Sequence, residues 1–262
     1  MSRTALFWGI VLILLGGILG LQAAGIISGS VWGYIWAVFL IFLGIWVISS
    51  IYYHPKFNEG HQIRVARKDA KQADISFAFG AASLIVNGGA SPDMVLEGIS
   101  GTTLDLSSRY FDERVAVKIN AGPSFIPFLG PEGGSWRFRF NNEMPLKIAV
   151  ESGASSVEMD LTELKVSDLQ VQTGASSYKI VLPAHAGSTL VHVDGGAASF
   201  DIRIPEGVAG RIRIMQGASS LKIDEKRFPV TSAGYYQSAD YDTAENHAEV
   251  TLNAGAGSFN IH

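Results

Sequence analysis

Apolar and polar residues alternate through most of the second part of this chain, on both sides of a recurring tetrapeptide of small residues. Around the Gly-Ala-Ser-Ser copy that ends at Ser177, the apolar positions are Leu169, Val171, Tyr178, Ile180 and Leu182. A period of two is typical of a half-buried β-strand. The pattern therefore predicts two short strands joined at a corner of small residues.

The small-residue corner recurs at nearly constant spacing. Its clear copies end at Ser83, Ser156, Ser177, Ser199, Ser220 and Ser258, and looser copies end at Thr103 and Ser124. Two strands in about 21 residues cannot bury an apolar face alone, so successive units must stack on one another. We predict a single-stranded β-solenoid (β-helix) of about eight coils with repeats of about 21 residues. A bladed or sandwich fold is the main competitor.

The first 53 residues have a different pattern, because they are almost continuously apolar and carry one charged residue, Arg3. The run is too long for one bilayer span and suits two helices of about 20 residues each. We predict a membrane-anchored protein whose N-terminus is a transmembrane helical hairpin, with spans near residues 6–25 and 32–53. A cleaved signal peptide ending near Ala23 is the alternative for the first span.

Aromatic and basic residues near these spans indicate how the hairpin would lie in a membrane. The candidate membrane-interface residues are Trp8, Trp32, Tyr34, Trp36, Tyr52 and Tyr53. Arg3 precedes the first span and several cations follow the second, and such residues favour the cytoplasmic side. We therefore predict a multi-pass protein of the cell membrane with both termini in the cytoplasm.

Residues 54–74 are predicted to be a basic juxtamembrane linker, followed by a β-solenoid domain at residues 75–262. The cations of the linker are Lys56, Arg64, Arg67, Lys68 and Lys71. A basic cluster beside a bilayer attracts anionic lipid head groups, so these residues form a candidate anionic-lipid site. The alternative is that they set the topology and otherwise lie in a solvated linker.

An insertion at residues 224–248 places three tyrosines close together. Tyr235, Tyr236 and Tyr241 are candidate partner-binding residues, because clustered tyrosines are favoured at protein-binding surfaces. The alternative is that the insertion folds back and its tyrosines cap an open end of the solenoid. The closing strand near Phe259 could also offer an unpaired edge to a neighbouring molecule.

The sequence contains no motif for enzyme chemistry. It has no Gly-x-Ser-x-Gly and no Gly-Lys-Ser/Thr sequence, and the recurrent serines are explained by the corners. The six histidines have no ligand spacing and the chain has no cysteine, so no metal site is expected. A net charge of −4 gives no indication of nucleic-acid binding. We predict a non-enzymatic protein without a cofactor.

Two parts of the chain resemble bacterial envelope proteins. The segments Phe-Trp-Gly-Ile-Val-Leu-Ile-Leu-Leu-Gly at residues 7–16 and Ile-Trp-Ala-Val-Phe-Leu-Ile-Phe-Leu-Gly at residues 35–44 resemble the LiaI/LiaF-type transmembrane module. The repeats resemble the toast-rack β-solenoid of LiaF C-terminal-like and adhesin-like proteins. The closing segment is similar as well, with Tyr-Asp-Thr-Ala at residues 241–244 and Gly-Ala-Gly-Ser-Phe-Asn-Ile at residues 255–261.

The resemblance implies a non-enzymatic bacterial membrane protein of the cell-envelope stress response. Such a protein would be a regulator or scaffold that presents its solenoid to a protein partner, such as a membrane sensor kinase. The alternative function is a structural or adhesive β-solenoid that self-associates or faces the cell exterior. The predicted partners are therefore the lipid bilayer, a membrane or cytoplasmic protein, and further copies of the chain, with no nucleic acid.

Overall fold

The computed structural model of the 262-residue chain describes Trp36 and residues 60–121, 134–215 and 220–262. Within these ranges the secondary structure is all-β, apart from the helical residue Trp36.

The chain divides into two compact units, Met1–Lys56 and Phe57–His262. No helix among the described residues is long and apolar enough to cross a membrane. This finding contradicts the predicted two-helix hairpin and the multi-pass localisation with cytoplasmic termini that depended on it. The predicted spans at residues 6–25 and 32–53 lie outside the described residues, with the exception of Trp36. The apolar residues that the structure describes occupy alternating positions of strands, so apolar content by itself does not predict a membrane-spanning helix.

The described part of the second unit contains sixteen strands. In chain order they are β1 (His61–Ala66), β2 (Gln72–Phe79), β3 (Ala82–Gly88), β4 (Met94–Ser100), β5 (Leu104–Phe111), β6 (Arg114–Ala121), β7 (Gly134–Phe140), β8 (Pro145–Ser152), β9 (Ser156–Asp160), β10 (Lys165–Thr173), β11 (Ser177–Val181), β12 (Ser188–Arg203), β13 (Ala209–Ile214), β14 (Ser220–Ile223), β15 (Tyr236–Gln237) and β16 (His247–Ile261). The segment predicted as a linker therefore contains β1 and the start of β2.

Each coil of the solenoid has one strand before the corner and one strand after it. β10 and β11 form one such coil: β10 pairs in parallel with β8 and β12, and β11 pairs in parallel with β9 and β12. β12 and β16 each run through their corner without interruption, and they pair with each other along nearly their whole length. The predicted stacking of similar units is therefore present in the structure.

The order of the coils in space differs from their order in the sequence. β2 lies between β6 and β8, so the first coil is inserted between the second and the third. At the other end of the stack β16 lies between β12 and β13, so the last strand is inserted before the coil that precedes it in sequence. Repeat length predicts the size of a coil, but equivalent coils are interchangeable as neighbours, so the spacing does not determine their order.

The register brings equivalent apolar residues into continuous rows inside the solenoid. One row contains Val117, Ile75, Ile148, Leu169, Val191, Val250 and Ile212, each at most 2% exposed. A second row stacks the rings of Tyr178, Phe200 and Phe259, with centroids 5.0 and 5.4 Å apart. Burial of these rows against each other is the main favourable contribution to folding.

The corner residues form a column of serines with a direct register from coil to coil. In spatial order the column is Ser135, Ser83, Ser156, Ser177, Ser199, Ser258 and Ser220. The described residues thus contain seven stacked corner residues, whereas the sequence predicted eight. Ser135 takes the place expected for the looser copies, since Thr103 lies in the irregular segment directly before β5 and Ser124 lies outside the described residues. The sequence Gly134-Ser135-Trp136 could have identified this corner, because it has the small residues of a corner followed by an apolar residue.

Glycines at the corner allow the backbones of successive coils to approach closely. A Cβ atom on Gly153 would lie 2.6 Å from the carbonyl oxygen of Gly80, and one on Gly174 would lie 2.9 Å from that of Gly153. The same carbonyls accept short hydrogen bonds, from Ala154 N to Gly80 O at 2.7 Å and from Ala175 N to Gly153 O at 2.8 Å. The small residues of the corner are therefore required by the contact between coils.

We expect Gly153→Ala to lower the free energy of unfolding by about 1–3 kcal/mol, because a backbone carbonyl must move to admit the methyl group. Gly80→Ala is the matched control, because a Cβ atom there meets nothing within 4 Å. Chemical denaturation of both variants measures the difference. Equal stabilities of the two variants would contradict the close-contact explanation of the corner.

Candidate functional site

Several outward polar side chains of the solenoid contact one another across neighbouring strands. On the face formed by β9, β11, β12 and β16, Lys179 lies 3.5 Å from Glu158, and the amide of Asn260 donates to Asp201 at 2.7 Å. Alternating charge along a sheet face stabilises cross-strand pairs. These polar side chains therefore have partners within the protein.

The opposite face has polar contacts both within one strand and between neighbouring strands. His192 lies 3.0 Å from Asp194, which also accepts a hydrogen bond from Asn253 at 2.9 Å. Leu190 is an apolar exception, with 53% of its surface exposed. Among the described residues no group of three or more His, Cys, Asp or Glu side chains could hold a metal ion.

Hydroxyl groups form a network at the central corners. Ser152 lies 2.8 Å from the Thr173 hydroxyl and 2.7 Å from the Tyr178 hydroxyl, and Ser155 donates to Ser176 at 2.9 Å. A shallow depression beside this network is lined by Ala78, Phe79, Glu151, Ser152, Gln172 and Thr173. Burial raises the pKa of Tyr178 above its ordinary value, although its bonds to Ser152, Thr173 and Ser155 act in the opposite direction. The network orders the corner, and burial favours the protonated form of Tyr178.

The cations of the predicted anionic-lipid site contact other residues of the domain. Arg67 pairs with Glu143 at 3.0 Å, Lys71 pairs with Glu113, and Lys68 lies 4.0 Å from the centre of the Tyr110 ring. Arg64 stands opposite Glu97 in the register of β1 and β4, and Lys56 lies outside the described residues. The turn between β1 and β2 therefore uses these cations to hold neighbouring loops, and lipid binding by them stays a prediction.

The predicted membrane-interface aromatics fall almost entirely outside the described residues. These are Trp8, Trp32, Tyr34, Tyr52 and Tyr53. Trp36 is described and is 59% exposed.

The three tyrosines of the insertion lie around Arg211 on β13. The Arg211 guanidinium lies 4.0 Å from the centre of the Tyr241 ring and 5.4 Å from that of Tyr235. Tyr236 belongs to β15 and stands opposite Ile212 in an antiparallel pair. Tyr241 is 8% exposed, and burial raises its pKa above the ordinary value. The insertion thus covers an end of the solenoid, as the alternative prediction expected, and partner binding by these tyrosines stays a prediction.

Arg227 is an important residue that the sequence analysis missed. Its guanidinium donates to the carbonyl oxygens of Ile204, Pro205 and Val208 at 2.5, 2.5 and 2.9 Å. Burial lowers the pKa of Arg227, while Asp224 raises it. The sequence offered a weak signal, an arginine next to the buried Phe228 in an otherwise polar turn.

The ends of the solenoid carry strands with one unpaired edge. β5 pairs with β6 along all of its eight residues, and no described strand pairs with its other edge. Phe111 and Leu106 of this strand are 56% and 37% exposed. At the other end β14 pairs with β16 alone among the described strands, and Leu221 and the nearby Met215 are 37% and 65% exposed. These two ends combine open backbone with exposed apolar side chains.

We expect Arg227→Met to lower the free energy of unfolding by about 1.5–3 kcal/mol, because carbonyl groups lose a charged donor while the side-chain volume is kept. Lys226→Met at the exposed neighbouring position is the matched control and should have little effect. Thermal or denaturant unfolding measures both variants. A similar loss in both would show that the carbonyl contacts do not stabilise the fold.

The raised pKa of Tyr178 predicts a dependence of stability on pH. The folded state favours the neutral phenol, so this contribution is present below the ordinary value of 10.0 and is lost as the pH rises through the folded pKa. The free energy of unfolding of Tyr178→Phe should therefore fall less than that of the wild type as the pH rises into the alkaline range. At neutral pH it should cost about 0.5–1.5 kcal/mol through the lost hydrogen bond. Denaturant titrations at neutral and alkaline pH give both values, and identical pH slopes would contradict the assignment.

Comparison with solved structures shows the fold of the domain. A candidate cell adhesion protein from Clostridium sporogenes ATCC 15579 superimposes with a TM-score of 0.68 and 18% identity, covering 78% of this chain and 98% of that chain. A candidate adhesin from Bacteroides fragilis NCTC 9343 aligns over the same shares with a TM-score of 0.31 and 8% identity. The fold comparison therefore rests on the Clostridium protein.

Comparison at the level of sequence identifies the family. No curated protein matches the chain. Residues 54–203 match the family described as "N-terminal domain of toast_rack, DUF2154". The toast-rack part of the predicted resemblance is confirmed, whereas none of the comparisons shows the LiaF-type transmembrane module. Because the match covers more than half of the sequence, the chain belongs to the toast-rack family.

Proposed function

We propose that this protein is a non-enzymatic structural or adhesive module that associates with further copies of itself through the ends of its β-solenoid. The observation that carries the proposal is the contrast between the faces and the ends. The faces hold polar side chains that pair within the molecule, such as Lys179 with Glu158. The ends hold strands with an unpaired edge next to exposed apolar residues.

Open strand edges are templates for pairing with another chain, and many proteins protect them with short strands, charges or proline. β14 is short, at four residues, and carries Lys222, while β5 is eight residues long, has no proline and carries two charges of opposite sign, Asp105 and Arg109. The two ends are therefore protected to different degrees, and β5 is the more open of the two.

Family and fold support a role in interaction rather than catalysis. The toast-rack match and the likeness to the Clostridium sporogenes structure, described as that of a candidate cell adhesion protein, favour the structural or adhesive alternative. The stress-response regulator with a sensor-kinase partner rests on the LiaF resemblance alone.

Sedimentation velocity of the full-length protein over a wide range of concentration tests self-association. We expect the weight-average mass to rise above that of one chain, with an affinity of about micromolar order because a strand edge buries little area. A double variant, Phe111→Lys with Met215→Lys, places charge on the exposed apolar residue at each end and should remain monomeric.

Leu190→Lys is the matched control, because Leu190 is as exposed as these residues but lies on a face away from the ends. It should associate like the wild type. A wild type that stays monomeric at every concentration, or equal association by the double variant and the wild type, would refute the function.

A further inference from the structure

We propose that β5 pairs with β5 of a second copy in an antiparallel arrangement, with Ser107 of each copy on the two-fold axis. The inference rests on the proposed self-association and specifies its surface and its partner. The result is one continuous sheet that crosses from one molecule to the next.

β5 has the properties of an edge that accepts another strand. Its register with β6 runs from Leu104 opposite Ala121 to Phe111 opposite Arg114 without a bulge. No described strand pairs with its outer edge, so its backbone groups on that side are open to a further strand. Antiparallel addition at such an edge is an established mode of strand recognition.

The charges of β5 are complementary to those of a second β5. Asp105 and Arg109 lie on the same face of the strand, about 13 Å apart, so they cannot pair with each other. Neither residue has an ion-pair partner among the described residues. An antiparallel pair centred on Ser107 places Asp105 of one copy opposite Arg109 of the other. The two-fold axis then repeats this ion pair.

Other registers with the same faces aligned lose this complementarity. A pair centred on Asp105 or on Arg109 would place like charges directly opposite, which is destabilising. A pair centred on Leu106 or Ser108 would leave the charges opposite uncharged residues. A shift of the pairing by one residue would place the apolar side chains of one copy on the same side of the sheet as the polar side chains of the other. The charge pattern therefore selects Ser107 as the centre.

The apolar side of β5 agrees with the same register. Leu104, Leu106 and Tyr110 lie on the core side, because they stand opposite Ala121, Ile119 and Val115 of β6. Leu106 is 37% exposed although its partner Ile119 is fully buried, because β5 ends the stack. In the proposed pair Leu104 lies opposite Tyr110 of the second copy, and the two Leu106 side chains are diagonal neighbours. The second copy thus covers the open end of the core.

The symmetry of this contact predicts a closed species. Because both copies use the same surface, the interface is isologous and is complete with two chains. We therefore expect dimers from the β5 edge rather than filaments. Longer assemblies would need the β14 end as well, where the edge is shorter.

Charge exchange tests the register directly. Asp105→Arg and Arg109→Asp each create two like-charge contacts across the axis, and each should weaken dimerisation by about tenfold or more. The double variant, Asp105→Arg with Arg109→Asp, restores both pairs and should regain affinity close to that of the wild type. Lys222→Asp on β14 is the matched charge-reversal control and should leave the dimer unchanged. Melting temperatures check that each variant is folded.

A disulfide provides a second measurement, because the chain has no native cysteine. Residues directly opposite in an antiparallel pair have Cα atoms about 4.5–5.5 Å apart, which a disulfide can span. Full-length Ser107→Cys should therefore form a covalent dimer under mild oxidation, and Lys222→Cys should not.

The two experiments separate this inference from the proposed function. Association that survives both single exchanges, with no disulfide in the Ser107→Cys variant, would overturn the β5 interface and leave self-association standing. A double exchange that fails to restore affinity would overturn the register. Coverage of the β5 edge by residues 122–133 or by another protein would give neither the charge effect nor the disulfide, and would overturn the inference. A wild type that never associates would overturn the proposed function itself.

Discussion

The close approach of successive backbones at the corner is the constraint on which the rest of the structure depends. Parallel strands lie about 4.8 Å apart, and the corners must keep that spacing while the chain changes direction. Gly153 and Gly174 allow this spacing because they present no side chain toward the carbonyl group of the neighbouring coil. Because the corners stack, the residues on both sides keep their register, and the apolar rows and the Tyr178–Phe200–Phe259 ring stack follow from it.

This arrangement also determines where the molecule can interact. A solenoid satisfies its backbone between coils, so its inner strands have no free hydrogen-bonding groups along their edges. Its faces pair lysine with glutamate and asparagine with aspartate, as at Lys179 and Asn260. Among the described strands, unpaired backbone remains at the two ends of the stack, on β5 and β14. The insertion that carries Arg227 and Tyr236 covers part of one end, whereas β5 leaves the other end more open.

Patterns that repeat were predictable from the sequence, and features that occur once were not. The alternation around Ser177 and its equivalents predicted the strands, because burial on one side imposes a period of two. The position of β5, the capping by Arg227 and the register of Ser135 depend on single contacts between distant segments, which leave little trace in local composition. The coil order depends on pairing between equivalent strands, which the repeat itself cannot distinguish. The N-terminal hairpin was inferred from the length of an apolar run and from the resemblance of residues 7–16 and 35–44 to the LiaI/LiaF-type module, and the finding on membrane-spanning helices contradicts it.

The first coil lies between the second and the third, and β16 lies between β12 and β13. This order has a consequence for how domains of the family can change in length. A gene duplication that appended one more repeat beside β2 or beside β16 would place it next to a strand that already has neighbours on both sides. A duplication of β10 and β11 would instead add a unit whose two sides match the coils around it. Evolution of longer or shorter toast-rack domains is therefore expected to proceed by gain or loss of central repeats, with the two ends inherited unchanged.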